Sequence, residues 1–311
     1  MGGVFVPPMI DGVSPSVVYL EKFMDNTKRP ADIYHFLCQK FPHILPDEWQ
    51  RRFDDGLVIW DDGRRVDANS PYCHGRHIYY YRFLENETIV PFEHEIIFEN
   101  REFMVVDKPH FLTVTPSGNY VRQTLLTRLK CKTNISTLSP IHRLDRETAG
   151  LILISKNSET RGIYQSLFKK QTIKKVYHAI APVHFGLAFP LDVNLCMERG
   201  EPFYTMAVVD GVPNSHTRIH RLQVHDGWAK YELYPTTGKL HQLRVHLNHL
   251  GIPIKNDPYY PSICHKEQGD FASPLQLLAY SLSFVDPITK QQMSFRSNRT
   301  LDLVSDKLTK D

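Results

Sequence analysis

The sequence has none of the features that mark a membrane, secreted or disulfide-bonded protein. No apolar run approaches the roughly 20 residues that a transmembrane helix needs, and the first residues contain neither the cationic nor the apolar segment of a secretory signal. The five cysteines are scattered and form no CxxC pair, so the sequence predicts neither a disulfide framework nor a zinc site. Because reduced cysteines are typical of the cytoplasm, we expect a cytoplasmic protein that is not associated with a membrane.

An excess of one charge is also missing. The net charge is only +3, which by itself does not indicate a nucleic-acid-binding protein. The sequence contains no Walker motif and no dinucleotide fingerprint. Lysines are nevertheless concentrated in one short segment, where they can follow a phosphate backbone or form an ordinary solvated face. They are Lys169, Lys170, Lys174 and Lys175.

The first 90 residues have their own pattern. Residues 1–28 are rich in Pro, Gly and Ser, and we interpret them as an extended or loosely packed arm. Apolar spacing then predicts short helices at 31–41 and 47–53, and the sequence predicts strands at 57–60 and 78–81. Two helices followed by strands resemble a small RNA-binding module of the S4 type. We therefore expect residues 1–90 to form an arm with an S4-like module.

The most informative stretch is His-Arg-Leu-Asp-Arg-Glu-Thr-Ala-Gly at 142–150, which leads into an apolar run at 151–154. That run is too short for a typical helix and predicts a buried strand. Asp145 is flanked by Arg143 and Arg146, and nearby cations favour the ionised carboxylate. Such a carboxylate suits a nucleophile or a base. The alternative interpretation is a structural aspartate that caps a turn or pairs with an arginine.

A second informative stretch covers residues 236–251. Leucines at 240, 243, 247 and 250 recur at helical spacing, and Gly251 fits a helix C-terminus. His241, Arg244 and Asn248 share that spacing on a neighbouring face, so we predict one packed side and one polar row. The histidine spacing does not match a helical zinc site, and we expect no metal.

The remaining elements extend to about residue 305. Strands are predicted at 95–99, 103–106, 175–181, 217–225 and 228–234, and helices around 125–129 and at 160–169. The segment 185–214 has a poor signal, and we expect loops there. Pro91 marks a boundary, so the prediction is a second domain at 91–305 and a frayed tail at 306–311.

Four segments, in this order, resemble the motifs of the RluA family of pseudouridine synthases. They are 105–109 (VVDKP), 142–151 (HRLDRETAGL), 175–179 (KVYHA) and 237–247 (TGKLHQLRVHL). The resemblance implies an α+β fold with a mixed, mainly antiparallel central sheet, flanking helices and a central cleft. It also implies an enzyme that converts uridine in structured RNA, ribosomal or transfer, to pseudouridine. The implied enzyme needs no cofactor, and we expect a monomer.

The resemblance assigns roles to residues of this chain. The implied catalytic residues are Asp145 as the ionised carboxylate, Arg244 as its bidentate partner, and Tyr177 stacked on the uracil. Arg143 is expected to hold the extruded nucleotide, and Leu277 to form part of an apolar wall. The full set of expected substrate-binding residues is Arg143, Lys108, Lys175, Lys239, His241 and Leu277, of which the three lysines are candidates for phosphate contacts.

Several positions depart from the family pattern. Phe111 and Asn256 stand where the family has glycine, and Thr115 and Leu278 stand where it has histidine. Ala149 and Leu240 replace a serine and a threonine. These departures indicate a divergent branch and leave the exact RNA substrate open.

Two other functions fit parts of the pattern. One is a catalytically silent RNA-binding protein on the same fold. The other is a glycoside hydrolase that uses Asp145 and Glu147, because paired carboxylates cleave glycosidic bonds.

Overall fold

A computed structural model describes residues 5, 7–25, 29–84, 86–301 and 303. The predicted tail at 306–311 lies outside them. Contacts divide the chain into two compact units, one formed by residues 1–87 with 127–136 and the other by 88–126 with 137–311. Within the described part, no helix is long and apolar enough to cross a membrane. The RNA-binding role expected for residues 1–90 stays a prediction.

The smaller unit contains a three-stranded sheet in the order β1-β3-β2 and two helices. The N-terminus of its first helix is capped by Asp32, which accepts a hydrogen bond of 2.8 Å from the backbone N–H of His35. Leu37, Trp49 and Ile78 lie in the core of this unit. The elements are β1 (Ser16–Tyr19), α1 (Ile33–Lys40), α2 (Pro46–Asp54), β2 (Val58–Trp60) and β3 (His77–Tyr80).

The expectation of a loosely packed arm at 1–28 is wrong for part of that segment. Residues 16–19 form β1, which pairs antiparallel with β3. Only Val18 of β1 is buried, so the strand has little hydrophobic periodicity of its own. Backbone hydrogen bonds to β3 hold it in place.

The larger unit is built on an eleven-stranded sheet. Its main path runs β10-β9-β11-β12-β8-β13-β7-β5-β4, with β14 paired to β13 and β6 paired to β7. The pairs are antiparallel except for β13 with β7, which confirms the predicted α+β fold with a mixed, mainly antiparallel sheet. The strands are β4 (Glu95–Glu99), β5 (Phe103–Lys108), β6 (Ser139–Pro140), β7 (Ala149–Ser155), β8 (Lys174–Pro182), β9 (Leu191–Arg199), β10 (Met206–Val209), β11 (Ser215–His225), β12 (Trp228–Pro235), β13 (Leu277–Val285) and β14 (Gln292–Arg296). The helices are α3 (Leu125–Thr133), which crosses the boundary between the units, α4 (Arg161–Lys169) and α5 (Gln242–His249).

The predicted strand after Asp145 is confirmed as β7, and all seven of its residues are buried. Gly150 of β7 has a φ of 106°, a conformation that favours glycine. Ala279 of β13 is its partner in the parallel pair, and a Cβ at residue 150 would overlap the carbonyl oxygen of Ala279. This glycine therefore permits the close approach of β7 and β13 at the point where the Asp145 loop ends.

The segment 185–214 is not a run of loops, because it contains β9 and β10. Leu191, Val193, Leu195 and Met197 face the core and alternate with polar residues at 192, 194 and 198, which is the period of two typical of a strand. The sequence interpretation missed this signal. The tertiary structure adds the neighbours of the strand, since β9 pairs with β11 and β10.

Candidate active site

A cleft of about 580 Å³ lies in the larger unit. Most of its lining comes from the loop before β7, strand β8, the turn that leads into α5 with the first residues of that helix, and the start of β13. The residues predicted from sequence that line it are Arg143, Asp145, Lys175, Tyr177, Lys239, His241, Arg244 and Leu277.

The loop that carries Asp145 is anchored on both sides. Upstream, the backbone N–H of Leu153 in β7 donates to His142 Nε2 over 3.1 Å, and the His142 ring stacks on Phe168. Burial lowers the pKa of His142 to about 4, so this imidazole is neutral. Its hydrogen bond to Leu153 fixes the start of the loop on β7. Downstream, the Thr148 N–H donates to the Asp145 carbonyl over 3.2 Å. Asp145 is therefore presented by a fixed backbone.

The predicted bidentate pair between Arg244 and Asp145 is wrong, although both residues line one cleft. Arg244 donates from Nε and Nη2 to the two carboxylate oxygens of Asp257, over 2.8 and 2.6 Å. Its remaining Nη1 lies 3.8 Å from Asp145 Oδ2, which is an ion-pair distance beyond hydrogen-bond reach. The pairing partner that sequence reasoning missed is Asp257, whose side chain is 0% exposed.

Asp257 orients the arginine because its own position is fixed. Its Oδ1 accepts backbone hydrogen bonds from Tyr259 and Tyr260, over 2.8 and 3.1 Å. The guanidinium also lies 4.9 Å from the Tyr259 ring centroid, at a distance typical of a cation–π contact. A buried charge pair with this many additional bonds keeps its geometry, so Arg244 presents one nitrogen to the cleft.

Helix α5 is more buried than the predicted polar row requires. It begins at Gln242 and not at Leu240, and every residue from 242 to 247 is buried. Gln242 fixes the preceding turn, since its Oε1 accepts from the Lys239 N–H and its Nε2 donates to the His216 carbonyl, each over 3.0 Å. Arg244 is only 1% exposed. A polar residue at helical spacing can be paired in the interior, and spacing alone does not distinguish this case from a solvated face.

Tyr177 lies on β8, opposite Leu233 of β12 and Ala279 of β13. Burial, with a smaller contribution from the charge of Asp145, raises the pKa of Tyr177 above its usual value. The phenol therefore keeps its proton at neutral pH. Leu277 is 3% exposed and supplies apolar surface to the same cleft.

Two of the three predicted phosphate-binding lysines line the cleft. Lys239 is exposed, whereas Lys175 is half-buried and donates to the Thr237 carbonyl over 2.9 Å. Burial lowers the pKa of Lys175 to about 8. Arg143 is exposed as well. These positions are compatible with a cationic rim for RNA.

The prediction that Lys108 contacts phosphate is contradicted by its burial. Lys108 is 0% exposed, and its amine donates to the carbonyls of Pro109, Leu112 and Arg146 over 3.0, 2.9 and 3.2 Å. Burial lowers its pKa to about 7. Lys108 therefore holds the backbone next to Asp145 and does not reach a ligand in the cleft.

The two carboxylates of the glycoside hydrolase hypothesis do not share a cavity. Glu147 pairs with Arg146 over 2.6 Å and lines a separate pocket of about 250 Å³. Asp145 faces the main cleft. Among the described residues, no group of three or more His, Cys, Asp or Glu side chains could hold a metal ion.

Two departures from the family pattern have a backbone explanation. Phe111 and Asn256 have φ angles of 65° and 64°, where glycine is unstrained. Asparagine tolerates this conformation better than most residues. Phe111 keeps it while packing on Phe92 and Phe271, and it is 2% exposed. Both positions therefore have a backbone conformation that a glycine would adopt without strain.

Comparisons with known proteins identify the family of the chain. Residues 102–249 match the family model described as RNA pseudouridylate synthase. The dual-specificity RNA pseudouridine synthase RluA of Pasteurella multocida is 31% identical over 65% of this chain and 91% of its own length. An uncharacterized RNA pseudouridine synthase of Synechocystis is 27% identical over 87% of this chain and 94% of its own length.

The fold is similar to that of a solved human structure, RNA pseudouridylate synthase domain containing 1, with a TM-score of 0.53 and 22% identity. That match covers 67% of this chain and 84% of the human chain. The chain belongs to the RluA family of RNA pseudouridine synthases, isomerases that convert uridine to pseudouridine in RNA.

Proposed function

We propose that Asp145 is the catalytic carboxylate for uridine isomerisation in this cleft. The observation that carries the proposal is its position: among the described residues that line the cleft, Asp145 is the one carboxylate. The cation of Arg244, 3.8 Å away, balances its charge in a partly enclosed space. The anchored loop keeps the carboxylate in place.

The chemistry needs little more than this carboxylate and an aligned nucleotide. The N1–C1′ bond breaks, the uracil turns within the site, and a C5–C1′ bond forms. C5 then loses its proton to solvent, and N1 takes one up. The product is an isomer of the substrate and no electrons are exchanged with a partner, so no cofactor is required. Asp145 acts by attack at C1′, by proton removal from the sugar or by addition to the base, and the arrangement is compatible with each of these routes.

Tyr177 is proposed to stack on the uracil, because tyrosine offers a flat face with a polar tip. Its raised pKa keeps the hydroxyl protonated at neutral pH, so Tyr177 is a hydrogen-bond donor at rest and not a base. Leu277 forms the apolar wall beside the base. Together they shelter a base that has left its stack, a step that costs a few kcal/mol.

Arg143, Lys175 and Lys239 are proposed to hold the nucleotide and its neighbouring phosphates. Arg143 and Lys239 are exposed and line the cleft, so both can meet a charged backbone. We propose that the substrate is a structured ribosomal or transfer RNA and that the enzyme acts as a monomer in the cytoplasm. The relative from Pasteurella multocida is named for dual specificity, which supports testing both classes of RNA.

The test is pseudouridine formation by the purified chain on transcribed ribosomal and transfer RNAs, measured by tritium release from 5-³H-uridine. Asp145→Asn should reduce the rate at least about a thousandfold while RNA affinity remains. Asp226→Asn is the matched control, because Asp226 is an exposed carboxylate outside the cleft. Full activity of Asp145→Asn contradicts the proposal. RNA binding by the wild type without pseudouridine formation favours the silent RNA-binding alternative.

A further inference from the structure

His241 connects the cleft with a buried tyrosine hydroxyl. On one side, its Nδ1 lies 3.0 Å from Tyr260 Oη. On the other side, its Nε2 lies 3.9 Å from Asp145 Oδ2, the oxygen that Arg244 also faces. His241 is 9% exposed and Tyr260 is 8% exposed, so the contact between them is sheltered from water, whereas Asp145 is open to the cleft.

Met206, Tyr260 and His241 form a row of hydrogen bonds that leads toward Asp145. The bond from Met206 determines the direction of the next one. The backbone N–H of Met206 donates to Tyr260 Oη over 2.8 Å. A tyrosine hydroxyl has one proton to give, and His241 Nδ1 is the acceptor within reach. A neutral imidazole that accepts at Nδ1 carries its proton on Nε2. The negative charge of Asp145 on the Nε2 side favours the same tautomer.

His241 responds to this environment through its tautomer and not through its charge. Burial, followed by the positive charge of Arg244, lowers the pKa of His241 to about 4, so the ring is neutral at neutral pH. Its backbone has a φ of 52° just before helix α5, and its ring contacts Tyr260 on one side and faces Asp145 on the other.

We propose that Tyr260 holds His241 as an Nε2–H donor toward Asp145, so that His241 and Arg244 fix Oδ2 and leave Oδ1 for the nucleotide. Both His241 and Tyr260 are positioning residues. The distances to Oδ2 are longer than hydrogen bonds, as is common before substrate closes a site, and they should shorten when a nucleotide is bound. This inference rests on the proposed function of the cleft.

The tautomer is measured directly by ¹⁵N NMR of the full chain labelled at histidine. The His241 signals are assigned by their loss in His241→Gln. Wild type should show the Nε2–H tautomer, and Tyr260→Phe should show a mixture of both. Tyr231→Phe is the matched control, since it also loses a hydroxyl, which donates to the Pro182 carbonyl over 2.9 Å. An Nδ1–H tautomer in wild type, or an unchanged one in Tyr260→Phe, overturns the proposal.

Kinetics provide the second readout. Tyr260→Phe should lower kcat about tenfold, the effect of one lost hydrogen bond, and leave KM within about twofold. His241→Gln retains an amide donor near the Nε2 position and should keep more kcat than His241→Ala. Equal kcat values for Tyr260→Phe and Tyr231→Phe, at matched thermal stability, contradict the proposal. A wild type without activity would contradict the proposed function, whereas the NMR result would still decide the tautomer.

Discussion

Two buried cationic side chains lie next to the Asp145 loop, and the cost of burying each is compensated in a different way. Arg244 is held by the carboxylate of Asp257 with two hydrogen bonds and keeps one nitrogen for the cleft. Lys108 donates to three backbone carbonyls, one of which belongs to Arg146 in the loop itself. Arg244 therefore contributes a positive charge to the site, whereas Lys108 fixes the backbone of the loop.

The physical difference is the balance between desolvation and pairing. A buried ion costs several kcal/mol unless a counter-ion or strong hydrogen bonds compensate. Carbonyl dipoles compensate only partly, and the pKa of Lys108 falls to about 7 from the ordinary 10.5. A guanidinium remains charged in such an environment. The residue types at these two positions are thus not interchangeable.

The largest effect on stability is expected when the carboxylate of Asp257, the partner of Arg244, is removed. Asp257→Ala leaves a buried charge without its counter-ion, and the free energy of unfolding should fall by about 3–5 kcal/mol. Urea denaturation measures this change. Asp192→Ala is the control, because Asp192 is half exposed beside His216 and Arg218 and should change stability by less than about 1 kcal/mol. Equal losses of stability in Asp257→Ala and Asp192→Ala would contradict the claim that Asp257 compensates the buried charge of Arg244.

A smaller effect is expected at Lys108. Lys108→Met keeps the length of the side chain and loses its hydrogen bonds to carbonyls. Near pH 9 the amine is neutral in the folded chain and donates to at most two carbonyls at a time, so the loss should cost about 1–3 kcal/mol. The penalty should be smaller near pH 6, because the wild type must then bury a charged amine.

The sign of this pH dependence follows from proton binding. The folded chain releases the Lys108 proton near pH 7, whereas the unfolded chain keeps it up to about 10.5. The unfolded state therefore binds more protons in this window, and the stability of the wild type rises with pH relative to Lys108→Met. Unfolding free energies of both proteins from pH 6 to pH 10 test this. Parallel curves would show that Lys108 does not titrate in this window.

The smallest effect concerns RNA binding. Lys239→Gln removes an exposed cation at the cleft and should lower the slope of log affinity against log salt by about one unit. Lys108→Met should leave that slope unchanged, because its amine is buried. Fluorescence titrations at several salt concentrations compare the two. A reduced slope for Lys108→Met would instead support the prediction that Lys108 contacts an RNA phosphate.

Much of the fold could be predicted because its signals are local. The apolar run after Asp145 predicts β7, and the leucine spacing predicts α5, although its start is displaced by two residues. Strand β9 also has a local signal, because apolar residues alternate with polar ones from Leu191 to Met197, and the sequence interpretation missed it. Strand β1 has no such signal, because only Val18 is buried and the strand depends on pairing with β3.

The motifs in the sequence were enough to predict the class of enzyme, and every proposed site residue except Lys108 lines the cleft. The partner of each charged group became known only from the folded chain. Asp257 is thirteen residues from Arg244, and the Arg146 carbonyl is 38 residues from Lys108. Residue type shows that a charge must be compensated once it is buried, but only the folded chain decides whether a carboxylate, a carbonyl or water compensates it.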